Sequence, residues 1–207
     1  MRNLRILLIV FILASFYGCS SDDNGGEDIN FDGSYEAIQK VIGEEALSNM
    51  VSLGMAINTG VNPPLVEGTY ELTTVLEASN DPWDQVLIGS AAAFPPQTFK
   101  LYDINLEKLT LLYSALGGSQ SDQGAGAFIS GNGNKFTIVL KLKSDGGNGT
   151  QADVARVLSG EKTSDGFINF QMASFMINNY GNPQGNWTEN GQGRIFIDYD
   201  GLVKEVN

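Results

Sequence analysis

The spacing of apolar residues changes character twice along the chain. An apolar run from Ile6 to Phe16 is followed by a polar stretch without periodicity. Ile38, Val41, Ile42, Ala46, Met50 and Leu53 then recur at the spacing of one helix face, which predicts one amphipathic helix over 34–53. Ser34 is placed to cap its start and Gly54 to stop it, and Gly43 weakens its middle. After Asn62-Pro63-Pro64 the period becomes two. Val66, Tyr70, Leu72 and Leu76 fall on one face, and Thr69, Glu71, Thr73 and Glu77 on the other, as in a half-buried strand.

The same alternation, or a short apolar run bounded by turn residues, marks further strands at 85–92, 98–106, 108–115, 126–130, 135–143, 152–158, 167–176 and 194–200. The clearest is KFTIVLKLK, where Phe136, Ile138, Leu140 and Leu142 alternate with Lys135, Thr137, Lys141 and Lys143. No second helix is long enough for a crossover, so parallel pairing is disfavoured. Short links such as Gly131-Asn132-Gly133-Asn134 favour a meander. The expected fold is mainly β: a single antiparallel up-and-down barrel of about eight strands with one N-terminal helix. A β-sandwich is the alternative.

The chain ends divide differently from its middle. Arg2 and Arg5, the apolar run and Gly18 form a secretory leader over 1–18, and Cys19 stands at its cleavage point. Residues 19–33, rich in Ser, Asp, Asn and Gly, read as a lipidated, flexible tether, leaving 34–207 as the folded domain. Cys19 is the only cysteine, so no disulfide forms within the monomer. The formal charge of −12 argues against nucleic acid and against electrostatic adhesion to anionic lipid. Attachment to a membrane then rests on acyl chains. The chain contains no histidine, which removes the commonest metal ligand and the usual hydrolase triads.

Around Cys19 the sequence resembles a bacterial lipoprotein, and Ser20-Ser21-Asp22-Asp23 resembles the surface-export signal of Bacteroidota lipoproteins. Phe16 and Tyr17 depart from the usual residues before the cysteine. The segment Asn62-Pro63-Pro64-Leu65-Val66-Glu67-Gly68-Thr69-Tyr70 resembles the opening of calycin-like or lipocalin-like barrel domains, with Gly68-Thr69-Tyr70 similar to the lipocalin Gly-x-Trp. A helix before the barrel, and none after the last strand, departs from true lipocalins. The resemblance implies a lipid-anchored, outer-membrane protein, exposed at the cell surface and built on such a barrel.

Candidate chemistry is sparse. Trp83 and Trp187 fall in loops, and Tyr180 lies beside a run of asparagines that includes Asn178, Asn179, Asn182, Asn186 and Asn190. Aromatic faces with amides suit sugar recognition, and indoles equally plug a barrel end. Asp198-Tyr199-Asp200-Gly201 is only a fragment of a calcium loop. Ser159-Gly160-Glu161-Lys162 matches Ser-x-x-Lys in a hairpin-turn context that does not suit that chemistry. Adjacent Glu44 and Glu45 point in different directions on a helix and do not form a catalytic pair.

The expectation is a binding module, not an enzyme. Tyr70, Leu72, Phe136, Ile138, Leu140 and Phe170 would line a barrel interior, with Trp83, Tyr180 and Trp187 near its rim. A small hydrophobic molecule or a glycan is the expected ligand, with no metal or other cofactor. An accessory subunit of an outer-membrane complex, with a filled core, is the alternative. A hydrolase built on paired carboxylates ranks behind both.

Overall fold

The computed structural model describes residues 30–91, 93–117, 120–147 and 149–206. The expected leader and Cys19 lie outside these residues. Two short helices come first, α1 (Tyr35–Ile42) and α2 (Glu44–Ser52). The Ser34 hydroxyl caps α1 by accepting from the Ala37 N–H. Gly43 then adopts φ +94°, ψ 151°, so the predicted single helix is broken in two. A right-handed helix does not continue through that backbone.

Eleven strands follow: β1 (Val61–Asn62), β2 (Gly68–Leu72), β3 (Thr74–Ser79), β4 (Gln97–Asn105), β5 (Thr110–Gly117), β6 (Gln120–Asn132), β7 (Lys135–Asp145), β8 (Gln151–Lys162), β9 (Gly166–Asn178), β10 (Gly193–Asp198) and β11 (Leu202–Val206). They make a closed antiparallel barrel of eight staves, a form compatible with a calycin-like fold. Six staves are single strands, β4 to β9. The first stave is β2 with β3, interrupted at Thr73, and the last is β10 with β11, interrupted at 199–201. Each stave pairs with its neighbour in sequence, and the last returns to the first through β10–β3 and β11–β2. The two interruptions face each other. The Thr73 N–H donates to Asp198 and the Tyr199 N–H donates to the Thr73 carbonyl, so backbone groups freed by one kink are satisfied by the other. β1 lies outside the ring, parallel to the end of β6.

The segment expected as a strand at 85–92 is not one over its described residues, 85–91, contrary to its apolar content. Asp81 accepts from the Trp83 N–H with Pro82 in the first position, starting a 3-10 turn. The Leu87 N–H donates to the Asp84 carbonyl and the Ser90 N–H to the Leu87 carbonyl, so three-residue turns continue where a ladder would need extended backbone. The final strand, β11, is missing from the sequence expectation because Leu202–Val206 is short and half polar.

Alternation assigns the two sides of the wall. On β7 and β8, Phe136, Ile138, Leu140, Leu142, Val154 and Leu158 point inward. Val139, Ala155, Val157, Ala173, Phe175 and Ile195 point outward, yet they are buried as well. Helices α1 and α2 cover them, packing across β7, β9 and β10. The helices therefore give the barrel a second apolar layer on one side, and the Asn49 amide of α2 also donates to the Gly191 carbonyl.

The two ends of the barrel differ. Toward the β6–β7 and β8–β9 turns, the interior is packed with stacked rings: Tyr70 on Phe167 at 4.1 Å, Tyr70 on Phe99 at 5.5 Å, Phe99 on Phe170 at 5.6 Å, and Phe136 against Phe167 at 4.8 Å. Lys162 caps this end, its ammonium over the Tyr70 and Phe167 rings and bonded to Glu205. The chain enters beside the same end. Phe31 stacks on Phe128 outside the wall, the Gly60 N–H donates to the Gly33 carbonyl, and β1 reaches Gly131. Phe31, inside the stretch read as tether, thus belongs to the packed fold.

Candidate functional site

At the other end the barrel does not fill. β4 pairs with β2 only as far as Gln97, while β3 runs on beside β10, so the first stave and its neighbour part. Residues 80–91 and 93–96 border this gap. The Gly89 N–H donates to the Leu76 carbonyl, and Phe94 meets Phe196 edge-on at 5.1 Å. Inside the mouth lies a cavity of about 230 Å³. Its wall combines Phe94, Val154, Met176, Trp187 and Phe196 with the polar side chains of Ser144, Arg156, Ser174, Asn186 and Arg194.

The two arginines are the only ones after position 5. Arg156 points inward because it shares the phase of Val154 and Leu158 on β8. Its guanidinium crosses the interior, donating to the Tyr113 hydroxyl on β5 at 2.9 Å and pairing with Asp122 on β6 at 2.5 Å. Both members of this ion pair are almost fully buried. Burial pulls the guanidinium down, and the Tyr113 oxygen and Asp122 carboxylate more than offset it, holding Arg156 above its ordinary pKa and charged. Burial raises the Tyr113 phenol, which stays neutral. Arg194 is held differently, by a two-pronged pair with Asp84 at 2.6 and 2.8 Å. Asp84 also accepts from the Ser79 hydroxyl, which ties the 80–91 segment to the barrel rim.

Trp187 is the lid of this cavity. Asn182 accepts from its backbone N–H and donates to its carbonyl, fixing the 179–192 loop, and Asn179 holds the Thr188 carbonyl. The indole lies close against Gly146, where an added Cβ would come within 2.6 Å of the ring. Only glycine leaves room for it.

Several buried polar atoms here lack a hydrogen-bond partner: the Ser144 hydroxyl, the Arg156 Nε, the Trp187 Nε1 and one Asp122 oxygen. Three belong to residues that line the cavity and the fourth belongs to the partner of Arg156. A buried donor left unmade costs about 1–3 kcal/mol. All four have almost no accessible surface, so they lie behind the cavity wall and not on its face.

Of the residues singled out from sequence, Trp187 and Asn186 line the cavity. Tyr70, Phe136, Ile138 and Phe170 are buried in the packed half of the barrel, as are Leu72 and Leu140. Trp83 is 86% exposed on the outer side of the 80–91 segment. Tyr180 stands outside the wall, its hydroxyl bonded to Asp153 and Lys143. Sequence reasoning passed over Arg156, Arg194, Ser144 and Asp122. The signal for Arg156 was present, since a charged residue occupies the apolar phase of a strand. Asp84 and Asp122 carry no such phase signal, because their burial depends on partners distant in sequence. No family model matches the chain, and neither a curated protein nor a solved structure does.

Proposed function

We propose that this protein is a lipid-anchored binding module, carried on Cys19 at the outer membrane of a Bacteroidota-type cell and displayed at its surface, with the barrel mouth as its ligand site. The observation that carries the binding reading is the cavity of about 230 Å³ at the barrel mouth, walled by both apolar and polar side chains. That space holds the bulk of about eight waters, and therefore one small ring with its substituents. Apolar side chains supply one part of the wall and hydrogen-bonding groups the other, the usual make-up of a small-molecule site. No carboxylate is among the lining residues, which favours binding over carboxylate-based hydrolysis.

The placement of the chain entry supports display. The polypeptide joins the barrel beside its packed end, so an anchor at Cys19 pulls on the end opposite the mouth. The test uses the full-length lipoprotein extracted in detergent. Native mass spectrometry is expected to show a small non-lipid adduct that a bulky substitution inside the mouth, Ser174→Trp, removes without unfolding the barrel. Cys19→Ser is expected to abolish fatty-acid labelling and release the protein from membranes. An adduct unaffected by Ser174→Trp would move the site elsewhere, and a membrane-bound, unlabelled protein would refute the anchor.

A further inference from the structure

We infer that the mouth takes a neutral, hydroxyl-bearing ring about the size of one hexose unit, and that it disfavours an acid of the same shape. This rests on the barrel mouth being the ligand site. The charge arrangement decides between the two. Each arginine in the wall already carries its own carboxylate, Arg156 with Asp122 and Arg194 with Asp84, so the site is balanced without a ligand. An anionic ligand would add a negative charge beside the nearly buried Asp122 with no cation left to answer it. In a poorly solvated site an uncompensated charge is strongly disfavoured.

The hydrogen-bonding inventory points the same way. The polar side chains of the wall are mixed: the Asn186 amide and the Ser174 hydroxyl each donate and accept, and Arg194 only donates. A carboxylate would satisfy the donors and repel Asp122. An aliphatic body would satisfy none of them. A hydroxyl group donates and accepts, so a ring carrying several hydroxyls is the simplest neutral partner for a mixed set. Phe196, Phe94, Met176 and the Trp187 ring supply apolar contact for the C–H face of such a ring. A volume of about 230 Å³ limits the ligand to one unit or to the terminal unit of a chain.

The test is a paired titration of the full-length protein in a zwitterionic detergent without a sugar headgroup. Glucose and galactose are compared with glucuronate and galacturonate, which differ by one carboxylate, using ligand-observed saturation-transfer NMR and calorimetry. At least one neutral hexose is expected to bind, with its uronate weaker by tenfold or more. Ser174→Ala deletes a hydroxyl of the wall, and Asn186→Ala deletes an amide. Each is expected to weaken the hexose by about 3- to 10-fold while leaving the melting temperature within a few degrees. A uronate that binds as well as its hexose overturns the inference, and so does hexose binding indifferent to both variants. If no hexose binds but an apolar fluorescent probe does so in a manner blocked by Ser174→Trp, the hexose inference fails and the binding site stands. If neither kind of probe binds, both fall.

Discussion

Arg156 concentrates the conflict between folding and binding in this molecule. Its ion pair with Asp122 is buried, so desolvation consumes most of what the attraction supplies, and one carboxylate oxygen and Nε remain unmatched. Breaking the pair is worse than never having made it. Arg156→Met is expected to lower stability by about 3–5 kcal/mol, because it leaves Asp122 buried without a counter-charge. The double variant Arg156→Met, Asp122→Leu is expected to regain most of that loss, while ligand binding stays absent. Urea denaturation of the three proteins checks this, and equal instability of the single and double variants would refute it. Tyr113 adds a pH signature. Its phenol is raised by burial in the folded state, so the stability it contributes is fully present below the unfolded value of about 10 and is lost as pH climbs toward the folded value. Absorbance at alkaline pH should therefore show Tyr113 ionising together with unfolding, after the exposed tyrosines. Ionisation of every tyrosine before the fold is lost would contradict this. At this scale the sequence was only partly legible. The phase of strand 151–162 places Arg156 inside, but nothing local to Asp122 or Asp84 says which residue each will meet.

Elements were more legible than residues wherever two faces meet different surroundings. Strand β7 alternates because its inner face meets the barrel core, and its outer lysines meet water beyond the edge of the helices. The same logic fails where both faces are buried. Ala155 and Val157 point outward on β8 but are buried like their inward neighbours, so burial is continuous from Val154 to Gly160 and alternation is lost. It fails again at 85–91, where an N-capping Asp81 and Pro82 impose turns on an apolar segment. The helical break is a third case, since apolar spacing runs straight through Gly43 and only its backbone reveals the kink. An added Cβ at Gly43 would meet nothing within 4 Å, so the cost of replacing it is conformational and not steric. Gly43→Ala is expected to destabilise the protein by about 1–3 kcal/mol, the strain of holding a non-glycine residue at that φ and ψ. Thermal denaturation measures it. An unchanged or raised melting temperature would mean that α1 and α2 fuse without disturbing their seat on β7 and β9.

At the scale of the whole molecule, closure of the meander was legible from strand count and short turns, but the inequality of its ends was not. One end is filled by Tyr70, Phe99, Phe136, Phe167 and Phe170, residues that alternation marks only as inward. Which inward residues pack together and which leave a void depends on where β4 parts from β3, a feature of register and not of composition. The inequality has a direction, because the chain enters at the filled end. Strands of this length, tilted as in small barrels, separate the two ends by roughly 30 Å. An anchor at Cys19 should then hold the β8–β9 turn nearer the lipid and the 179–192 loop farther out. Cys19 is the chain's only cysteine and would be acylated, so an introduced cysteine supplies the only free thiol. Ser164→Cys marks the filled end and Glu189→Cys the mouth, both at exposed positions. With each labelled by a fluorophore on vesicle-bound, full-length protein, a quencher fixed to lipid headgroups is expected to quench the Ser164 label at least twice as strongly. Equal quenching would mean that the barrel lies on its side. Stronger quenching at Glu189 would turn the mouth toward the membrane and make a lipid, instead of a soluble ring, its nearest occupant.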